Sequence, residues 1–263
     1  MRLTVVGCSG STSGTLSPAS SYLVQAPHQG RTFSLLLDLG PGSFGHLYRY
    51  LDPREIDAIA LSHLHPDHCL DVCGFYVAAR YSEPGSPWPG IPLYGPAGTR
   101  ERIRAAYEVP GPAGEPGPGI GDHFDYRTWL PEQQVGPFRV STARVAHPVE
   151  AYAVRVVLDG PDGGTLVFSG DTGPCPAVVE LAGGADLLLA EAAFLDGAAN
   201  PPGLHLTGRR AAEAAQQAGV GQLLLTHIPP WHQPEQVLAE ARPHFAGPVA
   251  LAEPGGSWDV RPR

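Results

Sequence analysis

The segment Ser62-His63-Leu64-His65-Pro66-Asp67-His68 sets three histidines and one aspartate within six positions. Neutral imidazole and carboxylate are the usual ligands of zinc and related divalent metals, so this spacing points to metal chemistry. His63 and His65 alternate, and in an extended loop they project the same way. Pro66 then bends the chain, so Asp67 and His68 can address a second point in space. One ion is expected on the first pair and a second on the other. The apolar run Ile56 to Leu61 comes immediately before, and its residues 58–61 read as a short buried strand. The histidines therefore lie at a strand's C-terminal end, where α/β folds tend to place their chemistry.

Three more metal-competent side chains follow strand-like runs. His147 comes after Phe138 to Val145, Asp171 after Thr165 to Ser169, and His227 after Leu223 to Leu225. Each alone is an ordinary turn residue; together with the first cluster they make a ligand set. His63, His65 and His147 are expected on one ion and Asp67, His68 and His227 on the other. Asp171 would bridge them through its two oxygens. A hydroxide held between two such ions is a nucleophile at neutral pH. Glu191 follows the run Leu187 to Leu189, and His205 stands just before a helix start. A Glu–His pair there could orient an imidazole that protonates a leaving oxygen; the alternative is a buried glutamate held by a histidine for structure alone. His123 and His232 lack such a context and are read as surface residues, and Arg209-Arg210 as a solvated helix start.

The elements that must position these residues can be read in chain order. Leu3 to Val6 is an opening strand that runs into Gly7-Cys8-Ser9-Gly10-Ser11, a small-residue loop that reads equally as a plain turn or as one able to approach a phosphate or metal closely. Ser21 to Ala26 and Phe33 to Asp38 are the next strands, and Ser43 is expected to cap a short helix through Leu51. Helices are expected over 72–81 and 99–108, with the strand Leu93-Tyr94 between them. The Pro/Gly stretch 110–121 reads as a surface loop, an insertion in preference to a lid. Strands are expected over 138–145, 152–158, 165–169, 187–189, 223–225 and 248–251. The helices of this half are placed at 174–182, at 208–218 behind a Thr207 cap, and at 234–245. Both halves run from strands into helices, which predicts two sheets packed together with helices outside, in one domain over 1–263.

Composition narrows the function classes. The 263 residues are 43% hydrophobic and 16% charged, a globular balance, with 17 basic residues, all arginine, against 26 acidic ones. A net charge of −9 argues against a large nucleic-acid footprint. Cys8, Cys69, Cys73 and Cys175 are too few and scattered for a disulfide framework. Cys69 and Cys73 are expected to pack as small core residues and not to bind metal. Val5-Val6-Gly7-Cys8 has the look of a lipoprotein cleavage site, but seven residues are too few for the leader that such a site needs. No apolar run reaches membrane-spanning length. The expectation is a soluble cytoplasmic protein with reduced thiols.

The His-x-His-x-Asp-His motif at 63–68 resembles that of the metallo-β-lactamase fold hydrolases, and His147, Asp171 and His227 match the family's later metal positions. The resemblance covers nearly the whole chain and implies an αββα sandwich with two metals at the sheet edge. Glu191 and His205-Leu206-Thr207 resemble the Glu–His pair of the tRNase Z and phosphodiesterase branch, in which Asp67 would both bind metal and help the attacking water. Gly7 to Ser11, Ser62 to Leu70, Ser169 to Gly173, Leu204 to Thr207 and Leu224 to Trp231 look most like the actinobacterial 3′,5′-cyclic-nucleotide phosphodiesterases of this fold. That likeness implies hydrolysis of cyclic AMP to 5′-AMP, two divalent ions (zinc first, manganese or iron by the same ligands), and a homodimer. Two departures speak against tRNA maturation: the stretch from His147 to Asp171 has no room for the tRNA-gripping arm, and Ser9 to Ser20 lacks the Lys-x-Arg-Asn-like signature.

Overall fold

The computed structural model describes residues 1–83, 88–109, 119–160 and 163–262. Among the described residues, fourteen strands form two sheets. The first half of the chain supplies β1 (Arg2–Gly7), β2 (Ser21–His28), β3 (Arg31–Leu37), β4 (Ala58–Ala60), β5 (Pro92–Gly95) and β6 (Asp125–Thr128). The second supplies β7 (Glu132–Val135), β8 (Phe138–Arg144), β9 (Tyr152–Leu158), β10 (Gly164–Phe168), β11 (Leu187–Glu191), β12 (Gln222–Thr226) and β13 (Val249–Leu251). The last strand, β14 (Ser257–Asp259), returns to the first sheet beside β1. The sheet orders are β14-β1-β2-β3-β4-β5-β6 and β13-β12-β11-β10-β9-β8-β7. In each half, antiparallel hairpins come first (β1 to β3; β7 to β10) and parallel crossovers follow. The repeated strand-then-helix order expected from the sequence is therefore present in three dimensions.

Strand alternation builds three layers of core. Leu35 and Leu37 face the second sheet with Phe138, Val156, Phe168, Leu187 and Leu189, while Leu36 and Leu188 face outward. Both faces of these strands are covered, which is why they read as unbroken apolar runs. Outside the first sheet lie α1 (Ser43–Leu47), α3 (Val72–Tyr81) and α4 (Thr99–Tyr107), contributing Leu47, Val72, Phe75 and Ile103. The one-turn α2 (Pro66–Cys69) precedes α3. Outside the second sheet lie α5 (Pro176–Leu181), α6 (Gly208–Ala218) and α7 (Pro234–Ala241). The small side chains of Ala211, Ala212 and Ala215 form the buried face of α6. This is the αββα sandwich.

Several local expectations shift. Ser43 does not cap α1: Gly42 occupies that position, Ser43 Oγ donates to the Gly40 carbonyl, and the helix stops at Leu47. α5 starts at Pro176, because a proline suits the first helical position and Cys175 takes the extended cap. α7 ends at Ala241, where Pro243 follows in a single 3-10 turn. Thr207 does cap α6, accepting from the Arg210 N–H. Of the stretch 110–121, residues 110–118 lie outside the described residues. Among the described residues, no helix is long and apolar enough to cross a membrane.

Candidate metal centre

The residues singled out for chemistry lie at a strand's last residue, in the turns that follow strands, or just before a helix. The β4 loop and α2 carry His63, His65, Asp67 and His68, and the β8–β9 loop carries His147. Asp171 follows β10, Glu191 ends β11, His205 precedes α6, and His227 follows β12. Nine residues from separate stretches of the chain thus converge on one place.

They form three groups, each with ligand atoms within 4.8 Å of one another: His63, His65 and His147; Asp67, His68, Asp171 and His227; and Asp171, Glu191 and His205. In the first group, His65 Nδ1 lies 3.1 Å from His63 Nε2 and 3.0 Å from His147 Nε2. Ligand nitrogens around a tetrahedral zinc, at about 2.0–2.1 Å from the ion, stand about 3.3–3.4 Å apart, so these three are spaced to hold one ion. Burial lowers the pKa of all three rings, keeping them neutral with lone pairs free. His147 Nδ1 donates to the Leu204 carbonyl, which leaves Nε2 as the ligating atom.

In the second group, Asp171 Oδ1 lies 3.3 Å from His68 Nε2, and Asp171 Oδ2 lies 3.2 Å from His227 Nε2. Asp67 Oδ2 is 3.4 Å from His68 Nε2 and 3.7 Å from His227 Nε2. His68 Nε2 and Asp171 Oδ1 are buried and have no hydrogen-bond partner. Such groups are costly to bury bare, and a shared cation satisfies both. Asp171 Oδ2 also lies 3.8 Å from His63 Nε2, so this carboxylate stands between the groups, in the bridging position. Burial acts to lower the His68 pKa, but Asp171 and Asp38 outweigh it and hold it well above an ordinary imidazole. An ion binding there displaces that proton. The donors fit two divalent ions of zinc, manganese or iron type.

The third group is a hydrogen-bonded pair, not a further ion site. Glu191 Oε1 accepts from Thr172 N–H and contacts His205 Nδ1 at 2.9 Å, while Oε2 accepts from Ala193 N–H. Both oxygens are occupied. For His205, burial works downward, but the hydrogen bond and charge of Glu191 prevail and raise the pKa. The imidazole is thereby kept a proton carrier.

Sequence reasoning missed Asp38. This fully buried carboxylate accepts from Ser62 N–H, from Ser62 Oγ–H and from His68 Nδ1–H, each at 2.7 Å. It fixes His68 with Nε2 directed toward Asp171, as outer partners of ligating histidines do. The available signal was an aspartate ending an apolar strand just before Gly40-Pro41-Gly42. Ser20 plays a similar part, its Oγ lying 2.9 Å from His227 Nδ1. Asp38 and His227 both have left-handed backbones, φ 57° and 55°, the strain that functional positions retain.

The small-residue loop at 7–11, open in sequence to either a plain turn or a close approach, lies against the site. Ser11 N–H points at His227 Nε2 from 3.3 Å, and a Cβ on Gly10 would meet the His227 carbonyl oxygen at 2.2 Å. Cys69 is buried, with its thiol donating to the His65 carbonyl. Among the described residues, no cysteine joins a candidate ion cluster. His232 is half-buried beside Trp231. His123 is half-buried too, its ring packing against Tyr76 and Phe124 where the 3-10 turn Ile120–Asp122 folds it onto α3. Arg209 and Arg210 are solvated and paired with Glu213.

Comparison with known proteins accords with this architecture. Residues 34–228 match the family model described as the β-lactamase superfamily domain. An uncharacterised protein of Mycobacterium leprae is 45% identical, over 99% of this chain and 89% of its own. The probable metallo-hydrolase YhfI of Bacillus subtilis is 29% identical over 98% of this chain and all of its own; its crystal structure superposes with a TM-score of 0.83, covering 98% of each chain. Ribonuclease Z of Myxococcus xanthus is 30% identical over 97% of this chain and 96% of its own. The chain belongs to the β-lactamase superfamily, and its fold is the metallo-β-lactamase sandwich.

Proposed function

We propose that this metallo-hydrolase is a binuclear phosphodiesterase that opens 3′,5′-cyclic nucleotides, converting cyclic AMP and water to 5′-AMP. The observation that carries the reading is the Glu191–His205 pair set against the two ligand clusters, with His205 Nδ1 2.9 Å from Glu191 and 3.8 Å from Asp171. A thioester hydrolase has no need of a dedicated proton donor, because its thiolate departs readily. A ribose 3′ alkoxide does not. Divalent ions held by the two clusters would supply Lewis acidity to the phosphoryl oxygens and acidify water near neutral pH.

The chain's own residues divide the remaining work. Asp67, whose hydrogen bond to His68 outweighs burial and holds it ionised, accepts a proton from the attacking water and orients it. As the bond from phosphorus to the 3′ oxygen breaks, His205 Nε2 gives its proton to that oxygen, and Glu191 stabilises the imidazolium beforehand. One water is consumed, and the product carries a 5′-phosphate and a free 3′ hydroxyl.

RNA 3′ processing is the second reading, favoured by the likeness to ribonuclease Z. Against it stand the −9 charge and the direct β9–β10 hairpin connection between His147 and Asp171. We further propose a cytoplasmic homodimer with zinc as the first choice of metal. Incubation of purified protein with cyclic AMP and, separately, with a tRNA precursor tests the assignment. 5′-AMP from the first supports it, and cleavage of the precursor alone replaces it with the second reading.

A further inference from the structure

Phe194 is a half-buried aromatic that belongs to none of the four apolar clusters found among the described residues. Among the described residues, its one ring partner is His205, at 5.0 Å between centroids and 88° between planes. Its backbone is held from both sides. Phe194 N–H donates to the Leu206 carbonyl, Phe194 bridges Thr207, and Asp196 N–H donates to the Glu240 carboxylate of α7. The segment that ends β11 therefore grips residues 205–207 twice, once through Glu191 and once through Phe194, three positions on.

Each grip does a different thing. The hydrogen bond that His205 Nδ1 donates to Glu191 Oε1 anchors one edge of the imidazole, but a single 2.9 Å contact still permits some swing about the bond to Cβ, a torsion with a broad energy well. A perpendicular aromatic at 5.0 Å blocks that turning. We propose that Phe194 is a positioning residue for proton donation: it fixes the plane of His205, and so the direction of Nε2, toward the leaving oxygen. The inference rests on the reading of His205 as the acid. It does not depend on which phosphodiester is the natural substrate.

The test compares leaving groups. Wild type, Phe194→Leu, His205→Ala and the double variant are assayed on cyclic AMP, whose leaving 3′ alkoxide needs a proton, and on bis(p-nitrophenyl) phosphate, whose leaving phenolate does not. Metal content and thermal midpoint are measured for each protein. Misaligning a catalytic group by about 1 Å costs on the order of 100-fold. Phe194→Leu should therefore lose about 10–100-fold in kcat on cyclic AMP with KM nearly unchanged, and lose little on the aryl ester. In the double variant it should add nothing to the loss from His205→Ala. Equal losses on both substrates, or additive losses in the double variant, overturn the proposal. A raised KM with unchanged kcat also overturns it, by showing that the ring stacks on the base. If wild type cleaves the aryl ester and not cyclic AMP, the cyclic-nucleotide reading fails alone. The same comparison is then made with a ribo-oligonucleotide, whose leaving 3′ oxygen is also an alkoxide.

Discussion

Asp38→Asn changes one buried group and should weaken metal binding at one half of the candidate centre. Asp38 Oδ1 accepts from Ser62 N–H, and Oδ2 accepts both from Ser62 Oγ–H and from the Nδ1 proton of His68. An asparagine has the same shape but one oxygen and one NH2 group. If the oxygen faces Ser62 N–H, the NH2 faces His68 Nδ1, which must then become an acceptor. The ring proton moves to Nε2, the atom aimed at Asp171 from 3.3 Å, and that nitrogen can no longer ligate. If the amide is flipped, its NH2 meets the Ser62 N–H head on. No water can mediate, because Asp38 and His68 are both fully buried. Losing an outer partner of this kind costs about 10–100-fold in metal affinity, which is about 1.4–2.8 kcal/mol. At a fixed excess of metal, the holo-protein loses about that much stability. Chelator-competition titration of zinc into apo wild type and variant reads the effect, with circular dichroism to confirm the fold. The loss should fall on the Asp67, His68, Asp171 and His227 group and spare the three-histidine group. Wild-type affinity at both sites would refute the reasoning.

Other substitutions separate the parts of the site. His147→Ala removes one of three converging nitrogens, so bound metal measured by elemental analysis should fall from two ions toward one; retention of both contradicts its placement. Gly40→Ala would put a Cβ 1.9 Å from the Asp67 carbonyl oxygen. The displaced loop should lower turnover on the order of 100-fold, and a fully active variant would show that Asp67 tolerates movement. Thr207→Ala deletes the α6 cap and should cost about 1 kcal/mol in urea denaturation; an unchanged midpoint would mean that the helix start is held by other contacts.

The parts of the fold legible in sequence were those under the strongest physical constraint. Strands such as Leu35-Leu36-Leu37 and Leu187-Leu188-Leu189 are buried on both faces and read as unbroken apolar runs. β6, β7 and β14 gave no such signal. Asp125–Thr128, Glu132–Val135 and Ser257–Asp259 are short, largely exposed strands at the sheet edges, where polar residues suffice. The candidate ligands were legible because each ends or follows a buried strand. Asp38 does so too, but it works through His68, and an aspartate whose partner lies thirty positions away looks like any turn residue. Phe194 was invisible for a related reason. Its ring lies outside every core cluster, so no periodicity marks it, and its partner His205 is eleven positions on.

The most direct measurement is hydrolysis of 3′,5′-cyclic AMP by the purified holo-protein, with metal quantified in the same sample and His63→Ala and His205→Ala beside it. The account predicts 5′-AMP as product, near two ions per chain, loss of both metal and activity in His63→Ala, and loss of activity with metal retained in His205→Ala. Full turnover by His205→Ala, or a two-ion protein that leaves cyclic AMP intact, would contradict it.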